Sequence, residues 1–587
     1  MATSHRNPIT PAHPEGRFFL APDKTTHRQY EALRAYFLEG LSSEEAARRF
    51  GYTPGSFRVL CHRFRTEGEK AEHFFKDVRH GPQSPPVRDR VRERAVAMRK
   101  RNLSVYDIRR EFREAGEEVS INTLAVLLRE EGFARLPRRR DEERPVTVSP
   151  EVAPVADVRT LTATPRTFRT RVAGLFFFVP LLENIDLAGV AEQAKLPGSK
   201  MIPAQQALKS TLALKLVGIE RKSHVMQLVF DEGLALFSGL NVMPKRSWFA
   251  DYSSRVGKQK NRRLMELWFD EVQNAGFGGS GSIDVDFHSV PANPGKEPLD
   301  KHYVSKRSRS QKAVLVFLAR DAEERVLCYA NAQIPKSEKG GEIVRFAEYY
   351  RSRTGDYPRE IVFDSQLTTY ENLDWLREAD IRFLTLRRRS RQMLARIYSL
   401  PASMWTRVSL RSLTRKYRTP RVLEERVRVK GYNGELRQLS IIDLGHEEPT
   451  ILLTNDFKSG PAALITRYAR RMLIENGIAE AIHFFHIDAL SSMVELKVDF
   501  DLQVTLMGSA LYRMLAERLP ESYRRARAKT IFGHLLDVGG KVDITERQVV
   551  VTLDRRAHNP ILAETGLIDR PTPMPWFFGK ELILRLP

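Results

Sequence analysis

Through the first 140 residues the apolar positions recur every three or four residues, and the interruptions fall at glycine or small polar residues. YEALRAYFLEGLSSEEAARRFGYTPGSFRVLCHRFRTEG reads as three helices. Gly40 closes the first, Ser42 or Ser43 caps the second ahead of Ala46, Ala47 and Phe50, and GYTPGS turns into a third over about 55–66. PPVRDRVRERAVAMRKRNLSVYDIRREFREAGEEVSINTLAVLLREEGF repeats that plan, its last helix covering about 120–130. Two three-helix units, 25–80 and 81–140, thus follow a Pro- and His-containing start at 1–24. They precede 141–170, which is rich in Pro, Val and Thr without a helical period and reads as a linker.

Residues 171–280 keep a helical period, and after Gly281 the period halves. GSIDVDFHSVPA, QKAVLVFLARD and RVLCYANAQIP read as strands, followed by a helix with Ile343 and Phe346, the strand REIVFDS, a helix around YENLDWLREA and the strand IRFLTL. Strand, strand, strand, helix, strand, helix, strand over 281–400 is an RNase H-like α/β order. A β-rich insertion follows at 401–456. Helices then run through 457–540, and 541–587 reads as a tail with one strand pair, KVDITERQVVVTLD. The expected fold is multidomain: an all-α tandem helix-turn-helix head, an RNase H-like α/β core with a β-rich insertion, and a helical C-terminal part.

Charge sharpens the picture. The 587 residues hold 95 Lys and Arg against 73 Asp and Glu, a net charge of +22. The excess is spread through the apparently folded parts, which favours a polyanionic partner. Helix-turn-helix units set their last helix in the DNA major groove, and the charge agrees with that use. A plain helical bundle has the same period. Only Cys61 and Cys328 occur, too few and too far apart for a disulfide framework or a Cys/His zinc cluster. The most apolar run, GLFFFVPLL, is too short for a membrane span, and MATSHRNPITPAHPEGR holds no continuous apolar segment resembling a secretory signal. A soluble intracellular protein is expected.

GSIDVDFHSV holds the first candidate chemistry. On a strand, Asp284, Asp286 and His288 share one face while Ile283, Val285 and Phe287 take the other. Two adjacent carboxylates on a half-buried strand repel each other and lose hydration, so they need a cation, donors or water. Asp364 ends the strand REIVFDS, at the edge where α/β sites collect. Glu475 lies on ITRYARRMLIENG, where Tyr468, Arg471 and Glu475 share one helix face. Each has a plain structural reading: a strand-end aspartate caps a turn, and Glu475 pairs with Arg471.

Together these residues carry a resemblance. The order of Asp286, Asp364, a β-rich insertion and Glu475 in Tyr-x-x-Arg-x-x-x-Glu resembles the DDE transposases of bacterial insertion sequences. VDFHSVPA, KHYVSKRSRSQK, VFDSQLTTYENL and YARRMLIENGIAEAIHFFHIDALSS are similar to blocks of the group with a Tyr-Arg-Glu-Lys signature. The resemblance implies that Asp286, Asp364 and Glu475 hold two Mg2+ ions, with Mn2+ able to substitute, for phosphodiester cleavage and strand transfer. Asp284 is the alternative first ligand. The resemblance also implies phosphate contact by Tyr468 and Arg471 and base stacking by Trp405, while the charge of the run KRSRSQK predicts strand contact by Lys306, Arg307 and Arg309. The partners implied are double-stranded DNA, both transposon ends and target, and a second copy in a homodimeric synaptic complex. The location implied is the bacterial cytoplasm, at the nucleoid when DNA is bound. One position departs from the signature: its lysine falls at Ile482, leaving His483 or Lys497 as substitutes. The rival reading is a domesticated, catalytically inert transposase acting as a sequence-specific DNA-binding regulator.

Overall fold

Serine caps start the short helices of the N-terminal part. In the computed structural model, Ser42 and Glu45 form a reciprocal capping box, and Ser104 repeats it with Asp107. The structure describes residues 24–66, 86–134, 136, 154–291, 300–304, 309–332, 334–367, 369–410, 418–445, 448–487 and 495–587. The side chains of 66, 86–90, 222, 472, 473, 475, 476, 495 and 496 also lie outside the description. The chain divides into one unit over 1–149 and another over 150–587.

In the first unit, α1 (Thr25–Phe37), α2 (Ser43–Arg49) and α3 (Pro54–Thr66) enclose Ala32, Leu33, Ala46 and Phe57. Helices α4 (Pro86–Lys100), α5 (Val105–Glu114) and α6 (Ile121–Glu130) enclose Val91, Ile108, Phe112, Leu124 and Leu127. The third helix of each cluster buries one stripe. Arg58, Arg63 and Arg65 of α3 and Asn122 and Arg129 of α6 are exposed.

The second unit holds a short strand near its start. The composition of 141–170 predicts a linker; residues 141–153 lie outside the described residues, while Arg166–Thr170 form β1, which pairs with a strand near the other end of the chain. Helices that include Ala204–Leu216 and Lys258–Asn274 follow. Next come β2 (Ser282–Pro291), β3 (Lys301–Val304), β4 (Arg309–Asp321), β5 (Leu327–Asn331), α7 (Glu342–Thr354), β6 (Glu360–Phe363), α8 (Tyr370–Glu378) and β7 (Arg382–Leu386). The strands lie in the order β5-β4-β2-β6-β7, with β2 antiparallel to β4 and parallel to β6.

Next come β8 (Thr406–Arg407), β9 (Arg421–Val427), β10 (Leu436–Ile442) and β11 (Thr450–Thr454). β11 pairs antiparallel with β7, so these strands extend the central sheet and cover an edge that would otherwise expose unpaired backbone groups. Helices α9 (Pro461–Arg470), α10 (Met472–His483) and α11 (Glu495–Glu517) follow. Ile283, Val285, Ile361 and Phe363 join the core made with α7, α8, α10 and α11. Val362 and Leu384 join a second core with Leu464 and Ile465 of α9. Asp284 and Asp286 alternate with Ile283 and Val285, so they share the α9 side of the sheet.

The chain end departs from the sequence expectation. Beyond the pair β12 (Gly540–Ile544) and β13 (Gln548–Leu553), the tail forms β14 (Thr572–Met574) and β15 (Lys580–Arg585). The order is β1-β12-β13-β15-β14, with β15 parallel to β13. Leu582 and Leu584 explain the extra strand, because their alternation buries both against Val549, Val551 and Phe577.

Candidate active site

Two arginines answer the carboxylates of β2. Arg467 donates from Nη1 to Asp284 Oδ1 at 2.7 Å, from Nε to Glu360 Oε1 at 2.6 Å and from Nη2 to Ser282 Oγ at 3.1 Å. Arg471 donates from Nη1 to Asp286 Oδ2 at 3.0 Å. The spacing is commensurate: two strand residues advance about 6.6 Å and four helical residues about 6 Å, so rungs two apart on β2 meet rungs four apart on the helix. Residue 471 keeps helical dihedrals between α9 and α10, which preserves the register.

The two rungs differ. Asp284 is fully buried, its Oδ2 has no hydrogen-bond partner among the described residues, and burial raises its pKa against the pull of Arg467. Asp286 is half-buried, and the parallel register explains its neighbour. Ser282 lies beside Glu360 and Asp284 beside Val362, so two more residues bring Asp286 alongside Asp364. Burial lifts Asp286 to about 6, the attraction of Arg471 opposes the rise, and the negative charge of Asp364 adds to it. Asp364 follows the last residue of β6, where its carboxylate accepts the Gln366 N–H at 2.8 Å and its carbonyl accepts from Thr385 Oγ1 of β7 at 3.2 Å. That turn fixes the acid at the strand's C-terminal edge.

Tyr468 and Arg471 lie over this pair of acids. The Arg471 guanidinium carbon is 5.6 Å from the Tyr468 ring centroid. Burial pushes the Tyr468 hydroxyl up to about 12, while Arg471 opposes it. For Arg471, burial favours the neutral form, but Asp286, Tyr468 and Asp364 outweigh it and raise its pKa. Oxygen-only acids that repel each other and share one guanidinium suit a hard divalent cation. Among the described residues no group of three His, Cys, Asp or Glu side chains stands ready to hold a metal. The Glu475 side chain lies outside the description; its backbone is in α10, one turn beyond Arg471.

The other sequence-derived positions scatter. Trp405 is half-buried between a short 3-10 turn and β8. Lys306 and Arg307 lie outside the described residues, and Arg309 is exposed at the start of β4. Ile482, where the signature has lysine, packs against the main sheet core; His483 is exposed at the end of α10, and Lys497 is half-buried on α11. Beside Asp364, a cleft of about 840 Å³ is lined by Ser365, Arg387, Arg388, Arg389 and Arg391. Sequence reasoning missed Arg467, Ser282 and Glu360. The signal for Arg467 was its position, four residues before Arg471 as Asp284 is two before Asp286.

Residues 279–499 match the family model described as Transposase DDE domain. That stretch begins just before β2 and ends within α11, so it holds Asp284, Asp286 and Asp364 together with Arg467 and Arg471. The match supports a DDE transposase family, whose members act on DNA with divalent metal ions. No curated protein matches the chain. Among the described residues, no helix is long and apolar enough to cross a membrane.

Proposed function

We propose that the protein is a DNA transposase of the group with a Tyr-Arg-Glu-Lys signature, which binds terminal inverted repeats as a homodimer, then cuts and joins DNA strands. The observation that carries this is the pairing of Asp286 with Asp364 beneath Tyr468 and Arg471. The strand order β5-β4-β2-β6-β7 supports an RNase H-like core. The capped three-helix clusters, with arginines on the outward side of α3, support two helix-turn-helix units that read the repeat.

Asp286, Asp364 and Glu475 would hold two magnesium ions, for which manganese substitutes. The ions supply charge neutralisation at the scissile phosphate and an activated water. Arg471 balances Asp286 in this structure and, released from it, offers a planar fork to a backbone phosphate. Tyr468 is a protonated donor, and burial lifts its hydroxyl further from ionisation. Arg387, Arg388, Arg389 and Arg391 flank the DNA path beside Asp364. Asp284, locked by Arg467, holds the strand and helix in register.

The packing of Ile482 into the core favours a second reading, an inert DNA-binding regulator, since the signature's phosphate-contacting lysine has no counterpart there. A gel assay of the full chain with its flanking repeat DNA separates the two. Magnesium-dependent nicked and joined products, lost in Asp364→Asn, support the transposase; binding without any cutting refutes it.

A further inference from the structure

We propose that a second pocket, bounded by β4, α10, α11 and the segment 525–531, is a binding site for a phosphate-bearing anion. It encloses about 310 Å³ and is lined by Arg320, Arg325, Arg513, Arg525 and Arg527, with Glu480 the carboxylate among its described lining residues. It does not depend on the nuclease reading, because none of its residues belongs to the acid pair or its arginine rungs.

Local ion pairing leaves a large positive excess there. Glu480 is committed: it accepts the backbone N–H of Ala528 and is attracted to Arg320, Arg527 and Arg513. Arg320 lies across from Asp284 in the β2–β4 pairing and interacts with that carboxylate as well as Glu480. Arg513 pairs with Glu517 and donates to the Arg524 carbonyl, while its Nε is buried without a partner among the described residues. Arg325 and Arg525 form no ion pair among the described residues, and burial together with the like charge of Arg525 lowers the Arg325 pKa. Burial and then Arg325, Arg320 and Arg524 push Arg513 down to about 10.

Gathering cations in a half-buried pocket is unfavourable unless an anion joins them. The backbone adds a further cost, since Arg325 is held at a φ of 63°, a region disfavoured for residues with a Cβ. Guanidinium forks match the oxygens of phosphate bidentately. The volume lies near the lower end of ligand pockets, roughly 300–1,000 Å³. That size suits a short polyphosphate, or a backbone phosphate with its attached sugar.

The test uses the full chain and pyrophosphate, with calorimetric titration and thermal unfolding at fixed ionic strength. Saturable binding with a raised melting temperature is expected. Arg525→Gln, at an exposed position, and the double variant Arg325→Gln/Arg525→Gln should each weaken binding by roughly tenfold or more, as loss of a charged hydrogen bond does. Arg585→Gln on β15 should leave it unchanged. In a second arm a labelled duplex oligonucleotide is added. Displacement by pyrophosphate in the wild type, but not in the double variant, identifies the occupant as a DNA backbone phosphate; simultaneous binding identifies a small polyphosphate. No saturable pyrophosphate binding, or equal affinity in wild type and Arg525→Gln, overturns the proposal.

Discussion

Removing Arg467 tests the strand–helix ladder most severely. Its guanidinium holds three oxygens, on Asp284, Glu360 and Ser282, with side-chain exposure of 16% for the arginine and 0% for Asp284. Arg467→Met keeps the aliphatic stem and leaves a buried carboxylate whose Oδ2 is already without a partner. Breaking one side of a buried pair costs about 3–5 kcal/mol, and the residual attraction of Arg320 and Arg471 for Asp284 sets the expectation near the lower bound. The partner change Asp284→Asn removes the stranded charge, so the double variant should recover more than half of the loss. The pH dependence has a definite sign. Burial raises Asp284, and loss of Arg467 raises it further. A carboxyl whose folded pKa exceeds its unfolded value is tolerated at low pH, and its cost grows as pH rises from the unfolded value and is complete above the folded one. The Arg467→Met deficit should therefore be larger at pH 8 than at pH 5. Urea unfolding of the four proteins of the cycle at both pH values reads these quantities. A deficit below about 1 kcal/mol, or no rescue by Asp284→Asn, would refute the ladder as a stabilising element.

Further outcomes follow from other parts of the structure. Asp286→Asn and Asp364→Asn should abolish magnesium-dependent cleavage while Asp284→Asn retains it, as measured on repeat-containing duplexes. Arg388→Gln/Arg389→Gln should weaken DNA binding and reduce the slope of log affinity against log salt by about 1 for each phosphate no longer neutralised, read by anisotropy across a salt series. Lys209 is fully buried with Nζ 3.2 Å from the Trp576 ring centroid and without a hydrogen-bond partner among the described residues, and burial lowers its pKa. Lys209→Met should raise the melting temperature by relieving about 1–3 kcal/mol of unsatisfied polar burial, and calorimetry checks the sign.

Local chemistry was legible in the sequence, and long-range pairing was not. The capping serines and the change of period at Gly281 marked helices and strands because those signals lie within a few residues. The alternation in β2 placed Asp284 and Asp286 on one face, but separating their surroundings required the β2–β6 register, which puts Asp286 beside Asp364 and leaves Asp284 fully buried. Arg467 was missed because its meaning depends on a strand 183 residues away. The pairing of β1 with β12 and of β15 with β13 escaped for the same reason: short strands carry too little pattern to name their partners. Position 482 was recognisable as a departure from the signature, yet only packing reveals that its side chain serves the core.

The most direct measurement is an anomalous-scattering map from crystals of the full chain grown with Mn2+. Manganese peaks bounded by the carboxylates of Asp286, Asp364 and Glu475 are expected, with Arg471 displaced from Asp286. Saturating manganese with no peak there, and the Arg471–Asp286 pair intact, would contradict a shared metal site.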